Sequence, residues 1–287
     1  MNDTHVTFAT DNAYAPLTAV AMFSLCEAVP TTTRLQITIL ADGLDRAARG
    51  NLVWTLRNHP DVALDIVDIA DLLAPLESLP IEGRYRAFPR SIWATLFLAS
   101  ALPVGLRRTL YLDSDVIVRR DPTELWQLDL DRNIAAAVAS RNGTGDPIGG
   151  PNGISYHSEL GLAPDLVPFN SGVLLADLDA WRRDDITFQC LQLLRKFHSR
   201  VVSWDQEVLN AVLAGRWLPL SSVWNCTDYW RSVEECQPPY PEDLEHAAIR
   251  HFAGYKPWDE TRPVPHRDEF YRLASRTGTT DGRSWIS

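Results

Sequence analysis

Short apolar runs alternate with segments of helical periodicity along the first half of the chain. The runs typical of β-strands cover residues 5–10, 34–40, 62–69 and 107–113. The segments with apolar residues at helical spacing cover residues 15–29, 45–59 and 90–102. Because strands that alternate with helices pair through right-handed crossovers, this order predicts an α/β fold with a mostly parallel central sheet flanked by helices.

The second half of the chain is less regular. Residues 141–169 are rich in Gly, Pro and Asn and are too long for a simple connector, which is typical of a functional loop. Later patterns predict a strand at 171–178, helices at 184–198 and 205–214, and a short strand followed by a loop within 248–258. Since no repeat or linker divides the sequence, we predict one domain over residues 1–258 and a polar C-terminal extension over residues 259–287.

The segment TLYLDSDVIVRR at residues 109–120 places two carboxylates within an apolar run. Asp113 and Asp115 directly follow the fourth predicted strand. A desolvated carboxylate is costly unless a partner compensates its charge. Both side chains can reach one ion where the strand ends, and such oxygen ligands suit Mg²⁺ or Mn²⁺. The pair therefore predicts a divalent metal site, with a solvated loop as the alternative.

A second segment, HFAGYKPW at residues 251–258, adds side chains that such a site needs. His251 is a candidate third ligand, Gly254 allows the backbone to approach a ligand closely, and Lys256 offers a cation for a phosphate. Lys256 is one of only two lysines in the chain. The alternative is a core histidine beside a turn. Ligands collect at the carboxyl ends of strands, so we expect residues 9–14 to face the same crevice.

Two other protein classes also carry acidic pairs or nucleotide sites after apolar strands, and both match poorly. The motif of haloacid-dehalogenase-type phosphatases usually opens the domain and has Thr or Val where Ile117 stands. Sugar nucleotidylyltransferases require a Gly-rich loop after the first strand, and residues 9–14 contain no glycine.

Five segments, taken in order, resemble the family 8 retaining glycosyltransferases, which include glycogenin and bacterial lipopolysaccharide galactosyltransferases. The segments are FATDNAY, LYLDSDVIV, FNSGVLLADLDAWR, DQEVLN and HFAGYKPW, and together they span about residues 5–258. The resemblance implies a GT-A fold in a single Rossmann-like domain. It also implies an enzyme that transfers a hexose from a UDP-sugar to a hydroxyl acceptor, with Mn²⁺ or Mg²⁺ as the metal.

The resemblance also implies roles for single residues. The implied metal ligands are Asp113, Asp115 and His251. The implied donor-binding residues are Thr10, Asp11, Asn12, Tyr14, Asp113, Ser114, Gly254 and Lys256. The implied catalytic residues, which would line the sugar pocket, are Asn170, Asp205 and Gln206. Since Gln206 is an amide and a poor nucleophile, we favour front-face attack by the acceptor, and the alternative is Asp205 as the nucleophile.

Three places in the sequence depart from the family pattern, and one of them is the loop from Gly254 to Lys256, which is one residue shorter than in many relatives. Thr95 stands where relatives have an arginine that reaches the donor, and Arg86 and Arg90 are candidate substitutes. The strand after the metal motif ends in Ser140 and Arg141 rather than in Asp. These departures concern the identity of the sugar more than the class of reaction. We expect acceptor contacts and lid motion at Ser140, Arg141 and the long loop that follows.

The composition restricts the partners and the location. The chain of 287 residues has 37 acidic and 27 basic side chains and a formal charge of −10, which argues against nucleic acid as the main partner. There is no leader-like segment and no apolar run of about 18 residues, so we expect a cytoplasmic protein without a transmembrane span. Arginines of the tail could attach the protein to an anionic membrane, and a solvated tail is the alternative. These arginines are Arg262, Arg267, Arg272, Arg276 and Arg283.

The cysteines are far apart and form no CxxC pair, which is typical of reduced thiols. They are Cys26, Cys190, Cys226 and Cys236. The last two could form half of a zinc site, but no second pair supports it.

Three functions are compatible with these features. The first is a metal-dependent retaining hexosyltransferase whose acceptor is a saccharide, a lipid-linked sugar, a peptide or a natural product. The second, suggested by Thr95 and Ser140, is a nucleotide-sugar-binding protein with little transfer activity. The third is a self-glycosylating primer protein, in which a tyrosine of the chain accepts the sugar.

Overall fold

The computed structural model describes residues 3–77, 89–140 and 146–278. In these residues the strands are β1 (Asp3–Thr10), β2 (Arg34–Ala41), β3 (Ala63–Asp68), β4 (Arg108–Leu112), β5 (Val116–Val118), β6 (Ala135–Ala139), β7 (Phe169–Asp177), β8 (Trp217–Leu220) and β9 (Ile249–His251). The α-helices are α1 (Ala15–Ala28), α2 (Arg46–Thr55), α3 (Ala70–Glu77), α4 (Leu98–Ala101), α5 (Leu178–Arg183), α6 (Ile186–Phe197), α7 (Trp204–Val212), α8 (Glu242–Glu245) and α9 (Arg267–Ala274). Short 3₁₀ helices cover Arg90–Phe97, Pro122–Gln127, His157–Leu160, His198–Arg200, Ser222–Asn225 and Glu234–Cys236.

Seven strands form one central sheet in the order β3-β2-β1-β4-β7-β6-β8. The pairs β1–β2, β2–β3, β1–β4 and β6–β8 are parallel, and β7 runs antiparallel to both β4 and β6. The predicted α/β class with a mostly parallel sheet is therefore confirmed. Because Leu112 pairs with Val173, the start of β7 lies beside the end of β4. The reversal at β7 brings a third strand to the edge where β1 and β4 end.

The sheet has an apolar core on each face, because successive side chains of a strand point to opposite sides. In β4, Leu110 and Leu112 pack with α1 and α2, whereas Tyr111 packs on the other face with the 3₁₀ helix Arg90–Phe97 and with α6 and α7. None of the described helices is both long and apolar enough to span a bilayer.

Helix α1 is almost entirely buried between the sheet and the C-terminal part of the chain. Pro16 lies in its first turn, where a missing backbone N–H has no cost. Phe270 and Leu273 of α9 pack on its outer side against Leu17 and Phe23. The domain boundary at residue 258 stays a prediction, and within the predicted extension α9 contributes a buried apolar face.

Several elements differ from the sequence-based expectations. The predicted helix at 90–102 is a 3₁₀ helix followed by the single turn of α4, because a segment buried on nearly every side adopts the backbone that its packing requires. The predicted helix at 45–59 ends at Thr55. The hydrophobic pattern did not predict β6 or β8, since β6 is mostly alanine and β8 contains Pro219, although the family pattern implied a strand that ends at Ser140. Their partners in the sheet hold them extended.

Some expectations lie outside the described residues or stay predictions. Arg86, Arg141 and Arg283 are not among the described residues. Arg276 donates a 2.7 Å hydrogen bond to Glu27, and the membrane attachment of the tail stays a prediction. The four cysteines are free and buried.

Candidate functional site

A cavity of about 640 Å³ opens where β1 and β4 end and β7 begins. Residues from all the predicted motifs line it, apart from the stretch at 10–12. The lining includes Tyr14, Tyr111, Asp113, Ser114, Asp115, Asn170, Ser171, Trp204, Asp205, Gln206, Tyr229, His251, Gly254 and Lys256. The structure thus brings together side chains from distant parts of the sequence, such as Tyr14 and Lys256.

The acidic pair and His251 form a compact cluster in this cavity. His251 Nε2 lies 3.5 Å from Asp113 Oδ2 and 3.3 Å from Asp115 Oδ1. All three ligand atoms lie within 4.8 Å of one another. The antiparallel pairing of β5 with β9 creates this contact, because it sets Val116 directly opposite His251. Two carboxylates and one imidazole are a donor set that Mn²⁺ accepts.

Lys256 extends the cluster with a positive charge. Its ammonium group donates a hydrogen bond to Asp115 Oδ2 and another, of 3.2 Å, to the Phe252 carbonyl oxygen. Burial disfavours the charged form of Asp115, but the charges of Lys256 and His251 outweigh it and hold the pKa of Asp115 well below its usual range. The pKa of Asp113 is raised, by burial first and by the charge of Asp115, against the attraction of His251.

Gly172 and Gly254 provide space that a larger residue would fill. A Cβ atom at Gly172 would lie 2.3 Å from His251 Cε1 and 2.5 Å from Asp113 Oδ2. Gly254 has a φ of +87°, in the left-handed region that favours glycine. A Cβ atom there would lie 2.8 Å from the Cβ of Tyr229. A side chain would collide with its neighbours at both places. The arrangement of Asp113 and His251 and the approach to Lys256 therefore depend on these two glycines.

The three predicted sugar-pocket residues lie side by side. Asn170 Nδ2 donates a 2.9 Å hydrogen bond to Gln206 Oε1. Asp205 is buried, and its Oδ2 accepts a 2.8 Å hydrogen bond from Thr95 Oγ1. Burial, followed by the negative charge of Asp113, raises the pKa of Asp205 to about 7, although hydrogen bonds oppose this shift.

The predicted donor-binding residues fall into two groups. Tyr14, Ser114, Gly254 and Lys256 line the cavity together with the acidic pair. Thr10, Asp11 and Asn12 lie next to it and make structural contacts. Asp11 Oδ1 accepts a hydrogen bond from the backbone N–H of Tyr14, and Asn12 Oδ1 accepts one from Asp45. Thr10 Oγ1 accepts a hydrogen bond from Thr18, in the buried core. Binding of a base or ribose by this group stays a prediction.

The structure shows what the residues that depart from the family pattern contact. Thr95 reaches Asp205, as described above. Arg90 makes two hydrogen bonds to the carboxylate of Asp42, at 2.6 and 3.2 Å. Ser140 lines a small side cavity behind Asn170 rather than the main cavity. Its contact with an acceptor stays a prediction.

Sequence reasoning missed two residues that contact the candidate metal ligands. Tyr111 donates a 2.9 Å hydrogen bond to Asp113 Oδ1, and Asn225 Oδ1 lies 2.9 Å from His251 Nδ1. Tyr111 lies inside the LYLDSDVIV segment, so its place next to Asp113 was a usable signal. Asn225 lies in no motif, and only the folded chain brings it to His251.

A model of the family described as glycosyl transferase family 8 matches residues 5–262, nearly the whole chain. General stress protein A of Bacillus subtilis is 30% identical over 182 residues, which cover 60% of this chain and 60% of that protein. Glycosyltransferase GlyE of Streptococcus pneumoniae is 26% identical over 287 residues, which cover 98% of this chain and 63% of GlyE. This chain thus spans about three fifths of the length of these curated relatives.

Solved structures share the fold. The galactosyltransferase LgtC, in complex with donor and acceptor sugar analogues, matches with a TM-score of 0.78 and 25% sequence identity over 96% of this chain and 97% of LgtC. The GlyE structure matches with a TM-score of 0.69 and 24% identity over all of this chain and 62% of that one. These matches confirm the predicted GT-A fold.

Proposed function

The chain belongs to glycosyl transferase family 8, and from this premise we propose that it transfers a hexose from a UDP-sugar to a hydroxyl acceptor with a divalent metal and with retention of configuration. The observation that supports the proposal best is the cluster of Asp113, Asp115 and His251 beside Lys256 in one cavity. A nucleotide-sugar donor carries a diphosphate, and a divalent ion with a nearby ammonium group is the usual way to hold one.

The residues present fit a divalent metal. Gly172 has no side chain, and a Cβ atom there would fill the space between His251 and Asp113. Lys256 offsets one carboxylate, that of Asp115, so the pair keeps negative charge that a cation would compensate. Asp113, Asp115 and His251 would therefore hold Mn²⁺ or Mg²⁺. When bound, the ion would stabilise the negative charge that grows on the departing diphosphate.

Lys256 would also stabilise the negative charge on the departing diphosphate. Its ammonium group lies in the cavity next to the acidic pair and stays protonated, because the charge of Asp115 overcomes the effect of burial and raises the pKa of Lys256. Gly254, two residues earlier, would let the backbone approach the phosphates. Positive groups that are already in place when charge develops often make the largest catalytic contribution.

Asn170, Asp205 and Gln206 would orient the hexose. They line the cavity, and hydrogen bonds through Asn225 link Asn170 and Gln206 to His251. Because Gln206 is an amide, we favour a front-face reaction. In it, the acceptor oxygen forms the new bond to the anomeric carbon, the bond to the phosphate oxygen breaks, and the departing phosphate takes the proton of the acceptor hydroxyl. Asp205, whose carboxylate lines the same cavity, is the alternative nucleophile.

The acceptor would enter past the rim of the cavity. Trp204, Tyr229 and Asn152 line this cavity and combine aromatic surface with a polar amide. This composition suits a hydroxyl-bearing acceptor of the predicted classes, which are a saccharide, a lipid-linked sugar, a peptide and a natural product.

The proposal is tested by thermal shift with UDP-, GDP- and TDP-sugars, each with and without Mn²⁺, followed by an assay of UDP release. We expect UDP-sugars to raise the melting temperature only when metal is present. We expect Asp113→Asn to lose both the shift and the UDP release, and the exposed Asp61→Asn to retain both. Stabilisation by a GDP- or TDP-sugar alone would contradict the UDP assignment.

Two further readouts separate the alternative functions. Donor binding without UDP release would identify a nucleotide-sugar-binding protein. An increase in the intact mass of the protein by one or more hexoses, after incubation with donor, would identify a self-glycosylating primer. The anomeric configuration of the product, read by NMR, tests retention directly.

A further inference from the structure

A chain of hydrogen bonds runs behind the metal cluster and ends in the sugar pocket. Asn225 Oδ1 lies 2.9 Å from His251 Nδ1, and Asn225 Nδ2 donates to Asn170 Oδ1 over 2.7 Å. Asn170 Nδ2 then donates to Gln206 Oε1 over 2.9 Å. Asn225 and His251 are 4% and 3% exposed, so their polar atoms must find partners within the protein.

The direction of these hydrogen bonds follows from one backbone group. The N–H of Gly172 donates to Asn170 Oδ1 over 3.0 Å, so this atom must be the carboxamide oxygen. An oxygen at this place can accept from Asn225 only if Asn225 presents its NH₂ group. The carboxamide oxygen of Asn225 therefore faces His251, and because this oxygen cannot donate, Nδ1 of the imidazole must carry the proton.

The other imidazole nitrogen faces the acidic pair. In the neutral imidazole with its proton on Nδ1, the Nε2 atom of His251 presents a lone pair at 3.3 to 3.5 Å from carboxylate oxygens of Asp115 and Asp113. These three electron-rich atoms repel unless a cation lies between them, which is either a second proton on Nε2 or a metal ion. A histidine that binds a metal usually donates its second N–H to a fixed acceptor, and Asn225 is that acceptor here.

The backbone holds Asn225 and His251 at a fixed separation. Cys226, which follows Asn225, donates its N–H to the Ile249 carbonyl oxygen over 2.9 Å. The N–H of His251 donates to the Cys226 carbonyl oxygen over 3.0 Å. The end of the 3₁₀ helix Ser222–Asn225 is thus joined to β9 on both sides of the imidazole contact.

We propose that Asn225 is a positioning residue with two effects. It sets the tautomer of His251 so that Nε2 is ready for the metal, and through Asn170 it links the metal ligand to Gln206. The identity of the metal rests on the proposed function, whereas the tautomer of His251 does not.

The tautomer is measured by long-range ¹H–¹⁵N NMR of the full chain with ¹⁵N-labelled histidine, at pH 8 and without metal. His251→Gln identifies the signal. We expect the Nδ1–H tautomer in the wild type, a mixture of tautomers in Asn225→Ala, and the wild-type tautomer in Asn225→Asp, whose carboxylate still accepts from Nδ1. The control is Asn210→Ala, which removes another buried asparagine that bonds the backbone of Phe169, and it should leave the tautomer unchanged. An Nε2–H tautomer in the wild type would overturn the proposal.

Binding of Mn²⁺ in the presence of UDP, measured by EPR, is the second readout. We expect Asn225→Ala to weaken Mn²⁺ binding by about 10- to 100-fold. Asn225→Asp should bind Mn²⁺ at least as tightly as the wild type, but its kcat should fall, because it has no donor for Asn170. Asn225→Asp also carries the test if Asn225→Ala does not fold. Wild-type affinity in Asn225→Ala, or unchanged kcat in Asn225→Asp, would contradict the proposal. A wild type that shows the Nδ1–H tautomer but does not bind Mn²⁺ with UDP would contradict the proposed function instead.

Discussion

Thr95 Oγ1 donates a 2.8 Å hydrogen bond to Asp205 Oδ2, and both side chains are buried. The family resemblance implies an arginine in the place of Thr95, and Arg90, a candidate substitute, is bound to Asp42. A guanidinium group would bring a full positive charge to this wall of the cavity, whereas a hydroxyl brings a single hydrogen bond. Thr95 therefore gives the predicted sugar pocket a different electrostatic environment from the one that the family pattern implies.

Replacement of Thr95 by valine tests how much this hydrogen bond contributes to the free energy of unfolding. The valine has a similar shape but leaves the buried carboxylate of Asp205 without one of its donors. We expect the free energy of unfolding at pH 8 to fall by about 1–3 kcal/mol. Urea denaturation followed by circular dichroism measures it. Thr95→Ser removes the methyl group but keeps the hydroxyl and should lose much less, so a loss in Thr95→Val no larger than that in Thr95→Ser would contradict a stabilising hydrogen bond.

The environment of Asp205 also leads us to expect that the stability of the protein depends on pH. Its pKa is raised to about 7, by burial first and by the charge of Asp113 second. An unfolded aspartate titrates near pH ~3.9. Between these values the folded protein holds a proton that the unfolded chain has lost, so the stability from this group declines as the pH rises and levels off above the folded pKa.

Asp205→Asn removes this titration. Relative to the wild type, the free energy of unfolding of the variant should therefore increase by about 1.4 kcal/mol per pH unit between roughly pH 4 and 7. Urea denaturation in the presence of EDTA across this range measures the difference. Asp61→Asn, an exposed change, should run parallel to the wild type. A constant difference between Asp205→Asn and the wild type would show that Asp205 has an ordinary pKa.

Gly172→Ala tests the space inside the metal cluster. The added methyl group would lie 2.3 Å from His251 Cε1 and 2.5 Å from Asp113 Oδ2, so the ligands must move apart. We expect affinity for Mn²⁺ in the presence of UDP to fall about 10-fold or more. Isothermal titration calorimetry measures it. Gly50→Ala on α2 adds the same methyl group with no atom within 4 Å and should keep wild-type affinity. Tight Mn²⁺ binding by Gly172→Ala would mean that the ligands lie elsewhere.

Phe270→Ala tests whether α9 belongs to the folded unit. Phe270 is fully buried, and its ring centroid lies 5.6 Å from that of Phe252, in an edge-to-face arrangement. Truncation of a buried Phe costs about 3–5 kcal/mol, so we expect a clear drop in the urea midpoint. Phe188→Ala is the matched control, because that ring is 58% exposed and its loss should change stability by no more than about 0.5 kcal/mol. Equal midpoints for the two variants would place α9 outside the cooperative unit.

Local signals account for much of what the sequence predicted. Strands β1 to β4 and helices α1 and α2 were predicted because each carries its own periodicity or apolar run, and the observed ends differ by a few residues. The hydrophobic pattern gave no signal for β6 and β8, because alanine and proline do not favour strands and their extended backbone depends on partners; only the family pattern implied a strand before Ser140. The 3₁₀ backbone at Arg90–Phe97 was missed for the same reason, since packing determined it.

The features of the candidate site also fall into those that the sequence predicted and those that only the folded chain shows. By itself, the sequence determined the α/β alternation, the two carboxylates in an apolar run, and the His, Gly and Lys of a second motif, because each of these is written in neighbouring residues. Only the tertiary structure decided that β7 runs antiparallel to β4, that β5 pairs with β9 so that His251 meets the acids, and that Asn225, 26 residues away, holds the imidazole. Such contacts depend on how distant segments pack, and this packing cannot be predicted from periodicity or local propensity.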